Sequence, residues 1–410
     1  MEIQNFLYKV IRKYVGLTLL EATEEICTSS ALSQFEKGKI NLVDKIKKAL
    51  RERYGITITP HEDDLEILKD RVNELRISIE SFNYKASIEK SKLIYQREKF
   101  MYYDVQLIIE GFNVLCTYEL LVKANYSSVK KRLEFLSSLL NLMNRSQLQK
   151  YYFNLAILEF ITTKDYDNIK MYFKISLDYM HNINNSFITY WYGYVLKFFS
   201  KKILSLKYLL DVDNAFKYES NVIGKEYSTI ALTELFISVN EMEEAKKYLS
   251  SFIKTRKITG KLSKEMETLF FYLEGEIEFS LGNYKSALRS FKSSKSTIQT
   301  FFSNVNLTDR IYHALLKTYK KLRNEDGYKE MEKLILASDE NKYPKVSIAY
   351  LLKENGDMEK YSQYIRKTVL QNVNLISGYD YDLIINDYKE YLLENKKYSQ
   401  LNKLNFKKKF

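Results

Sequence analysis

Apolar residues recur along this chain at intervals of three and four, with polar residues between them. That spacing lays an apolar stripe along a helix. Over residues 3–14 the stripe is Phe6, Leu7, Val10 and Ile11, and Gly16 ends it. Thr18, with Glu21 three residues on, forms a capping box for a second helix carrying Leu19, Leu20, Ala22 and Ile26. The turn Cys27-Thr28-Ser29 leads to a third helix, Ser30 to about Lys37, and Gly38 is its left-handed terminator. A fourth helix, about Leu42 to Tyr54, has Val43, Ile46, Leu50 and Tyr54 at helical spacing and stops at Gly55.

Pro60 marks a break. It lies in a linker, residues 58–64, whose acidic end Glu62-Asp63-Asp64 suits a helix N-terminus through the macrodipole. Residues 1–57 are therefore expected to form one domain and 65–410 another. The second shows an internal period. Its clearest unit runs from Phe271 to Phe291 and resembles a tetratricopeptide repeat. Gly275 falls where two helices approach, Leu281-Gly282-Asn283-Tyr284 is the turn, Ala287 is the small facing residue, and Phe291 fills the gap one turn on. Copies anchored on the residue after the turn fall at Tyr84, Tyr126, Tyr166, Lys202, Met242, Tyr284, Tyr328, Met358 and Tyr398. Their spacings run from 30 to 44 residues, mostly above the usual value of about 34. The expected architecture is all-α: a small N-terminal bundle, then a right-handed superhelix of about nine helix pairs.

Composition narrows this further. The chain has 410 residues, 45% apolar, with only 12 Gly and 2 Pro. Too few breakers are present for a sandwich, barrel or propeller, and no Gly-rich phosphate-binding turn occurs. Tyr and Phe, 35 and 23 of them, suit helix-on-helix packing and can also line a groove. The net charge of +12 permits a polyanionic partner without requiring one. Two cysteines, Cys27 and Cys116, give neither a metal pattern nor a disulfide framework. With an acidic N-terminus and no apolar run expected to approach a membrane span, a cytoplasmic protein is the expectation, with no membrane partner. The basic C-terminus, Asn395 to Phe410, reads as a solvated tail, ahead of the alternative that it touches DNA or a membrane surface.

Catalysis has no positive signal. His61, His181 and His313 are isolated, and no P-loop, GxSxG or CxxC is present. No catalytic residue, metal ligand or cofactor is expected. The N-terminal domain says more. Residues 17–39 resemble the helix-turn-helix of Xre/Cro-type repressors through the Ile-Cys-Thr-Ser turn and the string Ser30-Ala31-Leu32-Ser33-Gln34-Phe35-Glu36-Lys37-Gly38. The resemblance implies that the third helix enters the major groove of double-stranded DNA. Ser29, Ser30, Ser33 and Gln34 would then face the bases, and Thr18, Lys37 and Lys39 the backbone. Glu36 would bond within the domain. Leu19 departs from the pattern, since a contacting Gln often stands there. Residues 1–57 carry 10 basic and 7 acidic side chains, a net +3, so two copies would be needed for firm binding and a homodimer is expected.

Such a domain joined to long helix pairs resembles the RRNPP quorum-sensing regulators of Gram-positive bacteria, the group of Rgg, Rap, NprR, PlcR and PrgX. The resemblance implies a transcription regulator whose repeats bind a short signalling peptide. On the inward face of the first helices, Asn154 would grip the peptide backbone, and Tyr190, Tyr194, Tyr227 and Tyr272 would supply walls. Tyr118, Lys197, Glu234, Glu276, His313 and Lys320 share that face. Two other readings stay open: a repeat adaptor with a helix-turn-helix that no longer reads DNA, and a Rap-like modulator of a response regulator.

Overall fold

The computed structural model describes residues 3–179, 185–259, 264–298, 305–337, 345–371, 378–397 and 400–401. The anchor Tyr398, His181 and the lysines beyond residue 401 lie outside these. Among the described residues every regular element is helical. Four short helices come first: α1 Asn5–Tyr14, α2 Leu19–Thr23, α3 Ser29–Glu36 and α4 Asp44–Arg53. Helix pairs follow: α5 Glu62–Glu80 with α6 Tyr84–Arg97, α7 Val105–Tyr118 with α8 Tyr126–Ser137, α9 Arg145–Thr162 with α10 Tyr166–Asp178, and α11 Ser186–Phe198 with α12 Lys202–Tyr218. Next are α13 Val222–Ser238 with α14 Met242–Thr259, α15 Lys264–Ser280 with α16 Tyr284–Thr297, α17 Val305–Lys321 with α18 Glu325–Ala337, and α19 Val346–Glu354 with α20 Met358–Tyr364. Helix α21, Gly378–Glu394, opens a further repeat.

The repeat anchors mark real boundaries. Tyr84, Tyr126, Tyr166, Lys202, Met242, Tyr284 and Met358 are each the first residue of a second helix. Tyr328 is the exception, because Asn324 caps α18 by accepting from the Gly327 N–H at 2.9 Å, which starts that helix at Glu325. One turn design recurs. A residue in the left-handed region ends the first helix, one residue follows, most often Asn or Asp, and the second helix then begins, at the anchor in all but the Tyr328 copy. Phe82, Ala124, Lys164, Ser200, Asn240, Arg323 and the glycines 282 and 356 take the left-handed position. The N–H of the next residue reaches back to the last turn, as from Asn83 to the Ser78 carbonyl at 2.8 Å and from Asn283 to Glu278 at 2.9 Å. Asn83, Asn125, Asp165 and Asp357 then cap the helix that follows. Most of these turns use no glycine, which is how a glycine-poor chain makes so many.

The chain divides into two compact units, residues 1–188 and 189–410. In the first, Tyr8 packs edge-on against Phe35, centroids 5.0 Å apart. Arg12 donates to both carboxylate oxygens of buried Glu36, at 2.7 and 3.0 Å, tying α1 to α3. The small bundle is seated on the repeats rather than tethered to them. The Tyr14 ring lies 5.5 Å from Phe112 and 5.3 Å from Phe135, and Lys99 donates to the Gly55 carbonyl. Burial pushes the Tyr14 hydroxyl up to about 12. Below it Arg132 holds two carboxylates, Glu98 at 3.1 Å and Glu119 at 2.7 Å, and the Tyr95 hydroxyl donates to Glu119 at 2.6 Å.

One stretch, Val105–Lys123, is long and apolar enough to cross a membrane, where the sequence reading expected none. Its apolar surface is spent inside the first unit, against α5, α8 and α9. The local reason is that α7 is covered on all sides, so it lacks a polar face.

The second unit shows why its clearest repeat was readable. A Cβ on Gly275 would stand 2.4 Å from the ring of Phe291, so only glycine lets α15 and α16 meet there. Ala287 and Phe291 are fully buried beside it.

Candidate functional site

The first candidate surface is α3 and its flanks. Thr18 caps α2: its hydroxyl accepts from the Glu21 N–H at 3.2 Å, and Glu21 accepts from the Thr18 N–H at 2.7 Å. Those hydrogen bonds hold the Glu21 carboxyl below its usual range. Helix α2 ends at Thr23, short of the expected Ile26, because Glu25 turns left-handed at φ 61°. Thr28 caps α3 through the Ala31 N–H, at 3.2 Å. Ser30, Gln34, Lys37 and Lys39 are exposed and Ser33 is half-buried. Ser29 is half-buried, with its hydroxyl 3.0 Å from that of Thr23. Ser30, Ser33 and Gln34 fall at i, i+3 and i+4, one face of the helix. Leu19 is half-buried, whereas Leu20 is 75% exposed. Glu21, Glu24 and Glu25 are exposed close by, and Arg53 bonds the Glu21 and Glu24 carbonyls at 3.1 and 3.0 Å. Burial raises the Cys27 thiol, which disfavours the thiolate.

The second candidate surface, taken in each unit by itself, is the face made by the first helices of that unit's pairs. In the first unit it carries a cleft of about 320 Å³, walled by Val114, Phe153 and Phe187 and rimmed by Arg76, Glu80 and Lys150. The sequence reading missed this cleft, whose residues come from four separate helices. Arg76 bonds Glu80 at 2.8 Å and Lys150 pairs with Glu110. Burial raises the Glu80 carboxyl, although Arg76 and Lys150 oppose the shift. Asn154 stands behind the cleft wall and not on it. It is wholly buried, donates to the Asn113 carbonyl at 2.9 Å, and accepts from Thr117 at 2.8 Å. Thr117 is the residue that reaches the cleft. The amide expected to meet a ligand thus joins α9 to α7.

In the second unit the face gathers three of the expected tyrosines. Tyr190 stacks near Tyr194 at 6.2 Å and meets Tyr227 edge-on at 6.2 Å. Trp191 lies against Tyr194 at 5.6 Å, and its buried Nε1 has no hydrogen-bond partner among the described residues. Tyr272 packs on Phe291 of its own pair, 6.1 Å away, and its hydroxyl bonds Glu276. Lys197 sits 4.7 Å above the Tyr194 ring and pairs with Glu234. Glu234 also accepts from Arg310 Nη1 at 3.3 Å, and Arg310 grips Asp380 through Nε at 2.8 Å and Nη2 at 3.1 Å. Burial alone would raise Glu234, but Lys197 and Arg310 outweigh it and hold the carboxyl below its usual range. Burial raises Glu276 despite Lys317 and Arg310. It pushes His313 down to about 3, helped by Lys317, so the imidazole is neutral. His313 meets Tyr350 edge-on at 5.1 Å. Lys320 pairs with Glu354. Arg310 and Asp380 were missed from sequence. Arg310 is legible in retrospect, three residues before His313 on the same stripe.

Arg310 also reveals the form of this unit. Glu234 and Asp380 lie on first helices two pairs to either side of α17. Packed helices stand about 8–10 Å apart, so two steps of a flat array would separate them by roughly 20 Å. Both carboxylates reach one guanidinium only because the array curves toward this face. Among the described residues no cluster of His, Cys, Asp and Glu could hold a metal ion.

No protein-family model matches the sequence, and no curated protein is detectably similar to it. Solved structures are similar in fold. The apo quorum sensor NprR from B. thuringiensis superposes with a TM-score of 0.62 at 12% identity, over 82% of this chain and 96% of that one. A Rap protein complexed with competence and sporulation factor gives 0.61 at 14% identity, over 82% and 95%. Apo RapI gives 0.52 at 12% identity, over 82% and 88%. This chain therefore shares the all-helical repeat fold of NprR and the Rap proteins, the RRNPP group that its sequence resembles.

Proposed function

We propose that this chain is a peptide-responsive transcription regulator of the cytoplasm. It acts as a homodimer, reads double-stranded DNA with α3, senses a short signalling peptide on the inner face of its repeats, and has no catalytic role. The observation that carries this is the pairing, in one chain, of a capped α2–turn–α3 that exposes Ser30, Gln34, Lys37 and Lys39 with a curved repeat array. Ser29 and Ser33 complete the base-reading face, and Thr18 joins the lysines on the backbone. Small hydroxyls let a helix lie close to base edges, Gln reaches adenine, and Lys neutralises phosphate. Tyr190, Tyr194, Tyr227 and Tyr272 wall the peptide site. Asn154 contributes by fixing Thr117.

A second reading has its own support. Exposed Leu20 beside Glu21, Glu24 and Glu25 is a poor surface for a polyanion, which favours a repeat adaptor that no longer reads DNA. Selection of bound sequences from a pool of random duplexes by the full chain separates the two. The proposal expects a paired motif with half-sites about one helical turn apart, or a multiple of it, and a dimer by light scattering. It also expects Ser33→Ala with Gln34→Ala to lose the selection, at about 1–3 kcal/mol per base contact. Recovery of no enriched sequence, or an unchanged motif from the double variant, refutes the role of α3.

A further inference from the structure

The ionic chain of the second unit is an unusual use of buried charge. Lys197, Glu234, Arg310 and Asp380 sit on α11, α13, α17 and α21, with the side chains of all four at most 18% exposed. Burying four charges costs several kcal/mol of hydration per ion, and apolar residues of the same volume often do as well or better. Stability alone is therefore a weak reason for such a chain. Its geometry is that of a receptor already filled. Arg310 presents a two-pronged grip to Asp380, the arrangement with which guanidinium recognises carboxylates in general.

The two carboxylates are not equally committed. Glu234 is shared between two cations, Lys197 and Arg310. Asp380 lies in the first turn of α21, where the helix dipole supports a carboxylate in its own right. It also lies close enough to Asp309 for the two charges to repel, and burial with that repulsion pushes Asp309 up to about 6. Asp380 fills the two-pronged grip itself, whereas Glu234 reaches Arg310 by one bond at 3.3 Å, so the place a ligand carboxylate would take is that of Asp380. Around the grip stand Tyr272, Glu276 and Lys317, and Lys317 lies 5.0 Å above the Phe279 ring.

We infer that Arg310 is the carboxylate receptor of this face: Asp380 occupies it in the free protein, and a carboxylate carried by the bound peptide displaces Asp380. This rests on reading the face as a peptide site. The carboxylate can come from an Asp or Glu side chain or from a free C-terminus, and Arg310 would recognise either through the same two N–H groups. Because Asp380 ties α21 to α17, its release also removes that tie.

The test uses the immobilised full chain and three pools of random synthetic heptapeptides. One has acidic side chains and amidated C-termini. One lacks acidic residues but has free C-termini. The third has neither. Retention is read by mass spectrometry. The inference expects one or both carboxylate pools to be retained roughly tenfold or more above the third, the range for charge-assisted hydrogen bonds. Arg310→Gln should abolish that preference, which controls for general attraction to a basic protein. Asp380→Asn should raise retention of the same pool several-fold, and circular dichroism checks that both variants keep their helices. Equal retention of all three pools, or a preference that survives Arg310→Gln, overturns the inference and leaves the peptide reading standing. No retention of any pool by the wild-type chain overturns both. If Arg310→Gln unfolds, Asp380→Asn decides: unchanged or lower retention with helices intact rejects the displacement.

Discussion

Arg132 in the first unit and Arg310 in the second each hold two carboxylates, but the partners come from very different distances along the chain. Glu119 and Glu98 are 13 and 34 residues from Arg132. They lie on the π-helical turn Glu119–Lys123 and the 3-10 segment Glu98–Tyr103, next to the pair that carries the arginine. Tyr95 and Ser128 add bonds to the same cluster, at 2.6 and 2.7 Å. Asp380 and Glu234 are 70 and 76 residues from Arg310, on helices that touch it only because the array bends. The first cluster is a local lock whose parts are placed by neighbouring turns. The second is a strap across the repeats, and it reports on their curvature. The lock lies within the repeats, beneath the Tyr14 ring that rests on Phe112 and Phe135. The strap on the inner face is the contact that the inference above assigns to a ligand carboxylate.

The difference is tested most strongly by removing each arginine. Arg132→Met leaves Glu119, almost wholly buried, with the Tyr95 hydroxyl but without its cation, and should cost about 3–5 kcal/mol, the usual penalty for breaking a buried pair. Arg310→Met should cost less, about 1–3 kcal/mol, because Glu234 keeps Lys197 and Asp380 keeps its helix N-terminus. Urea unfolding followed by circular dichroism measures both. Equal losses, or a larger loss for Arg310, would break the distinction.

Asn154 sharpens the local side of the comparison. Asn154→Ala leaves the Thr117 hydroxyl and the Asn113 carbonyl without these bonds in a dry interior. The Thr117 hydroxyl still donates to the Asn113 carbonyl at 3.0 Å, so stability should fall by about 1–2 kcal/mol, the net worth of two lost hydrogen bonds. A melt indistinguishable from wild type would mean that water enters behind the cleft.

Asp309 sharpens the other side. It accepts from the Val346 N–H at 2.6 Å, the Ser347 N–H at 3.3 Å and the Ser347 hydroxyl, so it caps α19 from α17. Burial, then repulsion from Asp380, place its carboxyl at about 6 against an ordinary 3.8. The folded chain thus holds this proton more tightly than the unfolded chain. The contribution of Asp309 to stability declines as pH rises from about 4 to about 6 and is level outside that window, a change on the order of 3 kcal/mol. Comparing unfolding curves of wild type and Asp309→Asn across that window should show the slope only in wild type. Parallel curves would contradict it.

Much of the fold is legible because it is written locally. A residue that turns left-handed, one linking residue and the anchor are contiguous, so most second helices could be placed to the residue, Lys202 included and Tyr328 excepted. Thr18 with Glu21, and Gly275 with Phe291, are similarly close in sequence. The length of α2 was misjudged because Glu25 does in that turn what a glycine usually does. The inner face was only half legible. Helical spacing selected Tyr190, Tyr194, Lys197 and Glu234, all of which come together in the structure. It could not distinguish Asn154, whose stripe is covered by α7, from residues left facing outward. Nor could it find the Arg310–Asp380 pair, which exists only once the array has curved.

The most direct measurement is linkage between the two candidate surfaces in one chain. Affinity of the full protein for its selected duplex should be measured with and without a saturating heptapeptide retained from the random pools. A receptor that couples peptide to DNA should change duplex affinity by about fivefold or more in either direction, the lower end of ordinary coupling energies. An identical affinity with the peptide demonstrably bound would contradict a peptide-responsive regulator.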